Sequence, residues 1–290
     1  MYRSDLLKGI TLVVIACFVL AGMDALGKLL MSNLHPTQVV WARYTFHTIL
    51  VGAVFGLQHR ESFLLPTHPW LQIVRGLMLL GVTAGMYFSI RTISLADATA
   101  IMFLAPVMVT LLAGWLLKER VMAMHWIALL LGFGGVLMIV QPGFKALQPE
   151  MLLPLGSAVF LALYFVMTRY LKGRDGEQTT LFHTTASGSI LMSVVVTGFW
   201  VAPSNSEWLL LIFVGVLGAL GHLLLIRAFH LSEASSLSPY LNAQIVAAAL
   251  YSVWVFKETL DYGFYAGATL IMIAGLLTWR QERKTPLASR

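Results

Sequence analysis

Asp24 and Arg43 are the first residues of this sequence whose types and spacing suggest chemistry, because each interrupts a long apolar run. Read as helices, the runs place Asp24 near the end of the first and Arg43 near the start of the second, both roughly 10 Å below the same surface at about 1.5 Å per residue. An unpaired charge near the centre of a membrane helix costs about 3 kcal/mol on insertion scales, so two opposite charges at one depth are expected to pair. The short turn Asn33-Leu34-His35-Pro36 allows it. Such a pair is a structural clamp in the favoured reading; alternatively, Asp24 binds an amine or a coupling ion. Lys28, one turn on, can share the carboxylate or reach outward.

Proline marks a second feature. Pro106 and Pro239 interrupt two apolar runs at matching places in the chain's two halves. Each removes a backbone hydrogen bond, so carbonyls at Met102 and Ser235 are expected to face protein or water, since lipid satisfies neither. Either proline alone fits an ordinary packed kink as well, but matched interruptions of this kind point to a substrate site. Asn242 and Gln244 follow Pro239 and can donate or accept, although helical spacing sets them about 200° apart. Tyr87, Phe103, Tyr164 and Tyr240 supply aromatic faces, and a deep tyrosine hydroxyl needs a partner. His222, like His47, is costly to bury alone and either binds substrate or is satisfied by packing. Tyr87, Phe103, Tyr164, His222, Tyr240, Asn242 and Gln244 are therefore the candidate substrate-binding residues.

Other chemistry is not expected. Asp97, Glu233, Glu119 and Glu258 lie at helix boundaries, where the N-terminal dipole favours an anion, and read as caps. The 8 histidines form no His-x-x-x-His pair, and the single cysteine, Cys17, lies in an apolar run, so neither a metal site nor a disulfide is expected. His183 and Ser187 are one turn apart but lack a Gly-x-Ser-x-Gly elbow and an orienting carboxylate, so no enzyme is expected. Without a nucleotide-binding glycine loop, no ATP hydrolysis or other cofactor chemistry is expected.

The elements that must position these residues follow from composition. The 290 residues are 58% hydrophobic and 11% charged, against about 25% charged in soluble domains. The net charge of +6 is spread between apolar runs without a basic tract, which argues against a nucleic-acid partner and for the lipid bilayer. Ten runs approach the roughly 20 residues that cross a bilayer. They cover about residues 9–31, 37–58, 70–91, 96–117, 122–141, 151–171, 178–201, 208–228, 234–256 and 261–280. Of the 19 Lys and Arg residues, Arg43 and Arg75 lie within runs; only Lys28, Arg91, Lys145 and Lys257 fall on the side opposite the termini. Both termini are therefore expected in the cytoplasm, with the chain in the cell inner membrane.

The halves resemble each other. Ser89 to Ala98 recurs as Leu225 to Ala234, Lys118-Glu119 recurs as Lys257-Glu258, and Ala21 and Lys28 match Ala162 and Arg169. An odd number of runs per half sends the second copy into the membrane from the opposite face. The expected fold is an all-α polytopic membrane protein with ten transmembrane helices as two inverted five-helix repeats, 1–142 and 143–290. Small residues at Gly132, Gly134, Gly135, Gly267 and Gly275 suit close packing of the fifth and tenth helices.

In this order and spacing, Trp41-Ala42-Arg43-Tyr44, Arg75-Gly76-Leu77, Leu95 to Ala100 running to Ala105-Pro106, Leu116 to Arg120, Gly134-Gly135-Val136, Ala234 to Pro239 and Phe256-Lys257-Glu258 resemble the drug/metabolite transporter superfamily, in its ten-helix EamA-type branch. The resemblance covers nearly the whole chain. It implies a secondary transporter of amino acids or related metabolites, often working as an exporter, with a central site lined mainly by helices 1, 3, 4, 6, 8 and 9. Asn242 and Gln244 stand where apolar residues are common in that family. Two alternatives are an uptake carrier or facilitator for a larger nucleoside-like metabolite, and a membrane scaffold that moves nothing. The partners expected are a small-molecule substrate and lipid; a monomer is compatible with the pattern, which leaves the oligomeric state open.

Reporter fusions after Arg60 and Arg174 should report cytoplasm, and a fusion after Lys145 periplasm. The reversed pattern would contradict the orientation.

Overall fold

The computed structural model describes residues 2–59, 64–116, 123–141, 149–171, 174–231 and 237–284. Among them are eleven α-helices and no strand: α1 (Tyr2–Leu30), α2 (Pro36–His59), α3 (Pro69–Ile90), α4 (Leu95–Met102), α5 (Ala105–Leu116), α6 (Ala123–Val140), α7 (Leu152–Tyr170), α8 (Glu177–Val195), α9 (Asn205–Leu231), α10 (Ala243–Trp254) and α11 (Tyr262–Lys284). They make ten passes. The fourth is α4 followed by α5, and the ninth is a 3-10 turn, Ser238–Asn242, followed by α10.

Local chemistry sets these limits. Pro36 and Pro69 open α2 and α3, where a missing N–H costs nothing. Ser94 caps α4, its Oγ accepting from the Asp97 N–H at 2.9 Å. α4 stops at Met102 because Pro106 has no N–H to continue the ladder; beyond it the Val107 N–H turns to the Leu104 carbonyl at 3.1 Å. Pro239 likewise falls within the tighter 3-10 turn of the ninth pass.

Among the described residues, five segments are each long and apolar enough to cross a membrane: Asp5–Leu30, Pro69–Ile90, Pro149–Thr168, Gln178–Phe199 and Asn205–Ala228. The breaks shorten the fourth and ninth passes, and α2 is diluted by Gln38, Arg43 and His47. Large apolar side chains point outward, Leu130 being 72% exposed, as a lipid-facing surface requires.

The main contacts between the two halves come in matched pairs. α1 lies against α9 as α3 lies against α7, α2 meets α9 as α3 meets α8, and α1 meets α10 as α7 meets α4 and α5. α2 with α8, and α6 with α11, pair across the halves. Exchanging the halves maps these contacts onto themselves, as a two-fold relation between inverted copies requires. The boundary expected at 142 and 143, together with Glu119 and Glu233, lies outside the described residues.

Helices α6 and α11 touch backbone to backbone. A Cβ on Gly135 would sit 2.6 Å from the Gly267 carbonyl, and one on Gly267 would collide with the Gly135 carbonyl. Gly132 makes room for Leu104, but Gly134 and Gly275 face open space, so only part of the glycine set works in packing. Gly267→Leu should therefore lower stability by about 1–3 kcal/mol or prevent folding, while Gly134→Leu should leave thermal unfolding in detergent nearly unchanged. Equal effects would contradict the contact.

Candidate functional site

Polar side chains gather inside the bundle at two depths. The first group lies toward the face opposite the N-terminus. Arg43 Nη1 stands 3.4 Å from Asp24 Oδ1, at the long limit of a hydrogen bond. The Arg43 guanidinium lies 5.8 Å from the centre of the Tyr87 ring. Gly27 admits that ring, since a Cβ there would sit 2.5 Å from it. Tyr44 bonds Thr83 through their hydroxyls at 3.0 Å, with Gly188 of α8 leaving space for the Tyr44 ring. His47 of α2 and His222 of α9 lie side by side, ring centres 5.7 Å apart. Asp24 and His47 are buried, whereas Arg43 and His222 keep part of their surface accessible.

The second group surrounds Arg75, six residues into α3 from the N-terminal face. Its side chain is 1% exposed. Arg75 Nη1 donates to the Thr168 hydroxyl at 3.3 Å, and Nη2 donates to the Thr180 carbonyl and the Thr184 hydroxyl. The guanidinium lies 5.3 Å from the centre of the Tyr164 ring. Gly76 brings α3 onto α8, where a Cβ would lie 3.0 Å from the Thr184 carbonyl and collide with Ser187. Gln72, Arg75, Thr83 and Tyr87 thus form a buried polar ladder about 22 Å long up α3.

Polar contacts join the halves at each face. At the N-terminal face, Asp175 accepts from the Thr67 N–H at 2.6 Å and the Gln72 amide at 2.8 Å. Burial pushes the Asp175 carboxyl up, but these donors and nearby His68 outweigh it and hold it below the usual carboxylate range. At the other face, Gln38 exchanges two hydrogen bonds with Val201, at 2.9 and 3.1 Å, and Asn33 donates to Glu207 at 3.0 Å. Lys28 turns away from Asp24 and reaches Glu258 at 2.5 Å and the Ile93 carbonyl at 2.7 Å. Glu258 is therefore an ion-pair partner and not the expected cap of the last helix. Asp261 caps it, accepting from the Phe264 N–H at 2.9 Å.

The structure distributes the residues singled out in the sequence. Tyr87 stands with Asp24 and Arg43, Tyr164 with Arg75, and His222 with His47. Phe103, at the break of the fourth pass, packs between two apolar clusters. Around Pro239, the turn packs on α1 through Cys17, whose thiol points to the Tyr240 and Leu241 carbonyls at 3.9 and 3.5 Å. Tyr240 is 41% exposed, and Asn242 and Gln244 are half-buried at that level, closer to the N-terminal face than Asp24. The His183 ring and the Ser187 hydroxyl each bond a backbone carbonyl, of Leu64 and of His183. Sequence reasoning missed the surroundings of Arg75; an arginine within an apolar run was its signal.

The model of the EamA-like transporter family matches residues 7–141 and again residues 148–280. An S-adenosylmethionine uptake transporter of Rickettsia prowazekii is 26% identical over 90% of this chain and 89% of its own length. The pseudopaline exporter CntI of Pseudomonas aeruginosa is 30% identical over 96% and 99%. A riboflavin transporter of Vibrio cholerae is 25% identical over 78% and 76%. One solved crystal structure superposes with a TM-score of 0.66 at 20% identity, covering 95% of this chain and 98% of its own, which shows a shared fold.

Removing either member of the Asp24 and Arg43 pair leaves a buried charge, so Asp24→Asn or Arg43→Gln alone should cost about 3 kcal/mol or more. The double change should cost less than the two added, measured by thermal unfolding in detergent. Strict additivity would contradict the contact.

Proposed function

The chain belongs to the EamA-like transporter family, and on that premise we propose that it carries a small zwitterionic metabolite, an amino acid in the first instance, out of the cell by alternating access. The observation that carries this reading is the single long contact between Asp24 and Arg43 inside the membrane. A zwitterion brings one charge of each sign. Its carboxylate takes the Arg43 guanidinium, and its ammonium takes the Asp24 carboxylate. The site is then neutral when empty, as one ion pair, and neutral when loaded, as two, so no uncompensated charge is left in a low-dielectric interior in either state.

Tyr87 walls this site, and Phe103, Tyr164, His222, Tyr240, Asn242 and Gln244 complete the proposed lining along the path. The breaks near Pro106 and Pro239 add backbone donors and acceptors for the same charged ends. Opening at alternate faces requires one set of inter-half ties to release at a time, and the ties at Asp175 and at Gln38 with Val201 suit that role. Inner-membrane placement with cytoplasmic termini puts the Asp175 ties on the cytoplasmic side. Relatives named for S-adenosylmethionine uptake favour a second reading, an importer of a larger nucleoside-like metabolite.

Counterflow in liposomes separates the two. Labelled amino acids should enter saturably with wild-type protein, and Asp24→Asn or Arg43→Gln should slow entry about tenfold or more. Tyr87→Ala, Asn242→Ala and Gln244→Ala should weaken apparent affinity. Saturable entry of S-adenosylmethionine or riboflavin without amino-acid entry would overturn the amino-acid reading, and no saturable flux of any of them would contradict both readings of the substrate.

A further inference from the structure

We propose that Arg75 is a second anion station on the transport path, which takes the carboxylate of the cargo in exchange for the neutral oxygens that hold it in this structure. The proposal rests on the zwitterion reading for the identity of the cargo, but its geometry is independent of the Asp24 and Arg43 pair. Lys28 has Glu258 and Arg43 has Asp24 as counter-ions. Arg75 is more deeply buried than either, yet among the described residues no carboxylate lies within 4.0 Å of it. Its acceptors are two threonine hydroxyls and one backbone carbonyl, and its Nε, though buried, has no hydrogen-bond partner. A guanidinium offers five N–H donors in a planar fork that matches a carboxylate. Here that fork is served by neutral groups and left partly unfilled.

Location makes the unfilled fork useful. Arg75 lies twelve residues before Tyr87 on α3, about 18 Å along the helix, so it stands between the first site and the N-terminal face. On one side Arg75 is flanked by the Tyr164 ring and the Thr168 hydroxyl, both half-buried, and not by aliphatic side chains alone. Thr168 belongs to α7 and Thr180 and Thr184 to α8, so the bonds of Arg75 are among the contacts that join α3 to two helices of the other half. A carboxylate can accept two parallel, charge-assisted bonds, whereas each hydroxyl or carbonyl here supplies one neutral acceptor. Arrival of the cargo carboxylate therefore releases Thr180 and Thr184, and binding at the station loosens this face in the same step.

The test uses the full chain in liposomes open to reagent at both faces and phenylglyoxal, which modifies arginine, with adducts at Arg75 and Arg43 read separately by peptide mass mapping. The probes are sodium acetate, sodium chloride at equal ionic strength, acetamide and alanine. Acetate should slow Arg75 modification severalfold, whereas chloride and acetamide should not. Thr184→Val removes one competing acceptor and should lower the acetate concentration for half-protection about tenfold. A purely structural Arg75 would show neither effect. Equal modification with and without acetate, or an Arg75 that reacts under no condition even in Thr184→Val, would overturn the proposal. Protection of Arg43 by alanine without protection of Arg75 by acetate discards the second station and leaves the zwitterion reading standing. Protection of Arg75 by acetate without protection of Arg43 by alanine does the reverse.

Discussion

A charge inside a bilayer must be matched within the protein, because lipid offers it neither counter-ion nor hydrogen bond. The organisation of this molecule follows from that constraint. Arg43 draws Asp24 across from α1, Lys28 reaches Glu258 beyond α10, and Arg75 collects oxygens from α7 and α8. Each match adds a polar tie between helices that also pack through apolar side chains. Three glycines lie where the polar interior demands close approach: Gly27 under Tyr87, Gly188 under Tyr44 and Gly76 against α8. The outer surface needs no such matching and is apolar.

The same constraint explains why inverted repeats suit a carrier. A polar interior that lipid cannot enter must open to water at one face or the other, and two copies related by a two-fold relation give two equivalent ways of opening. The pairings of α1 with α9 and of α3 with α7 are interchangeable in this sense. Polar ties between the halves occur at both faces, through Asp175 at one and through Gln38 and Val201 at the other. Chemistry has broken the symmetry in the interior, where one copy contributes both Asp24 and Arg43 and the other answers with hydroxyls. That asymmetry sets an ion pair at one depth of the interior and an arginine held by neutral oxygens at the other.

Much of the fold was legible because apolar run length, proline and helix rise are local quantities. Depth arithmetic alone set Asp24 and Arg43 at one level, and the break before Pro106 follows from one missing N–H. What stayed hidden depends on distant partners. Lys28 and Glu258 are 230 residues apart, and the acceptors of Arg75 are 93 to 109 residues away. Local reasoning therefore assigned Glu258 to the nearest helix terminus, a place Asp261 occupies. Likewise, aromatic residues singled out by type alone were dispersed by the fold to Arg43, to Arg75 and to the turn on Cys17.

Water access to the interior is the most direct test of a transport path. Replacing the one native cysteine, Cys17→Ala, allows a single new thiol to be placed at will. In that background, His222→Cys lies mid-helix beside His47, and Leu130→Cys lies on the lipid-facing surface. If the polar interior is an aqueous path, a membrane-impermeant thiol reagent should modify His222→Cys from one face at a time, and saturating cargo should slow it. Leu130→Cys should stay unreactive. A His222→Cys thiol as inert as Leu130→Cys, in protein that keeps its fold, would contradict a path through the bundle.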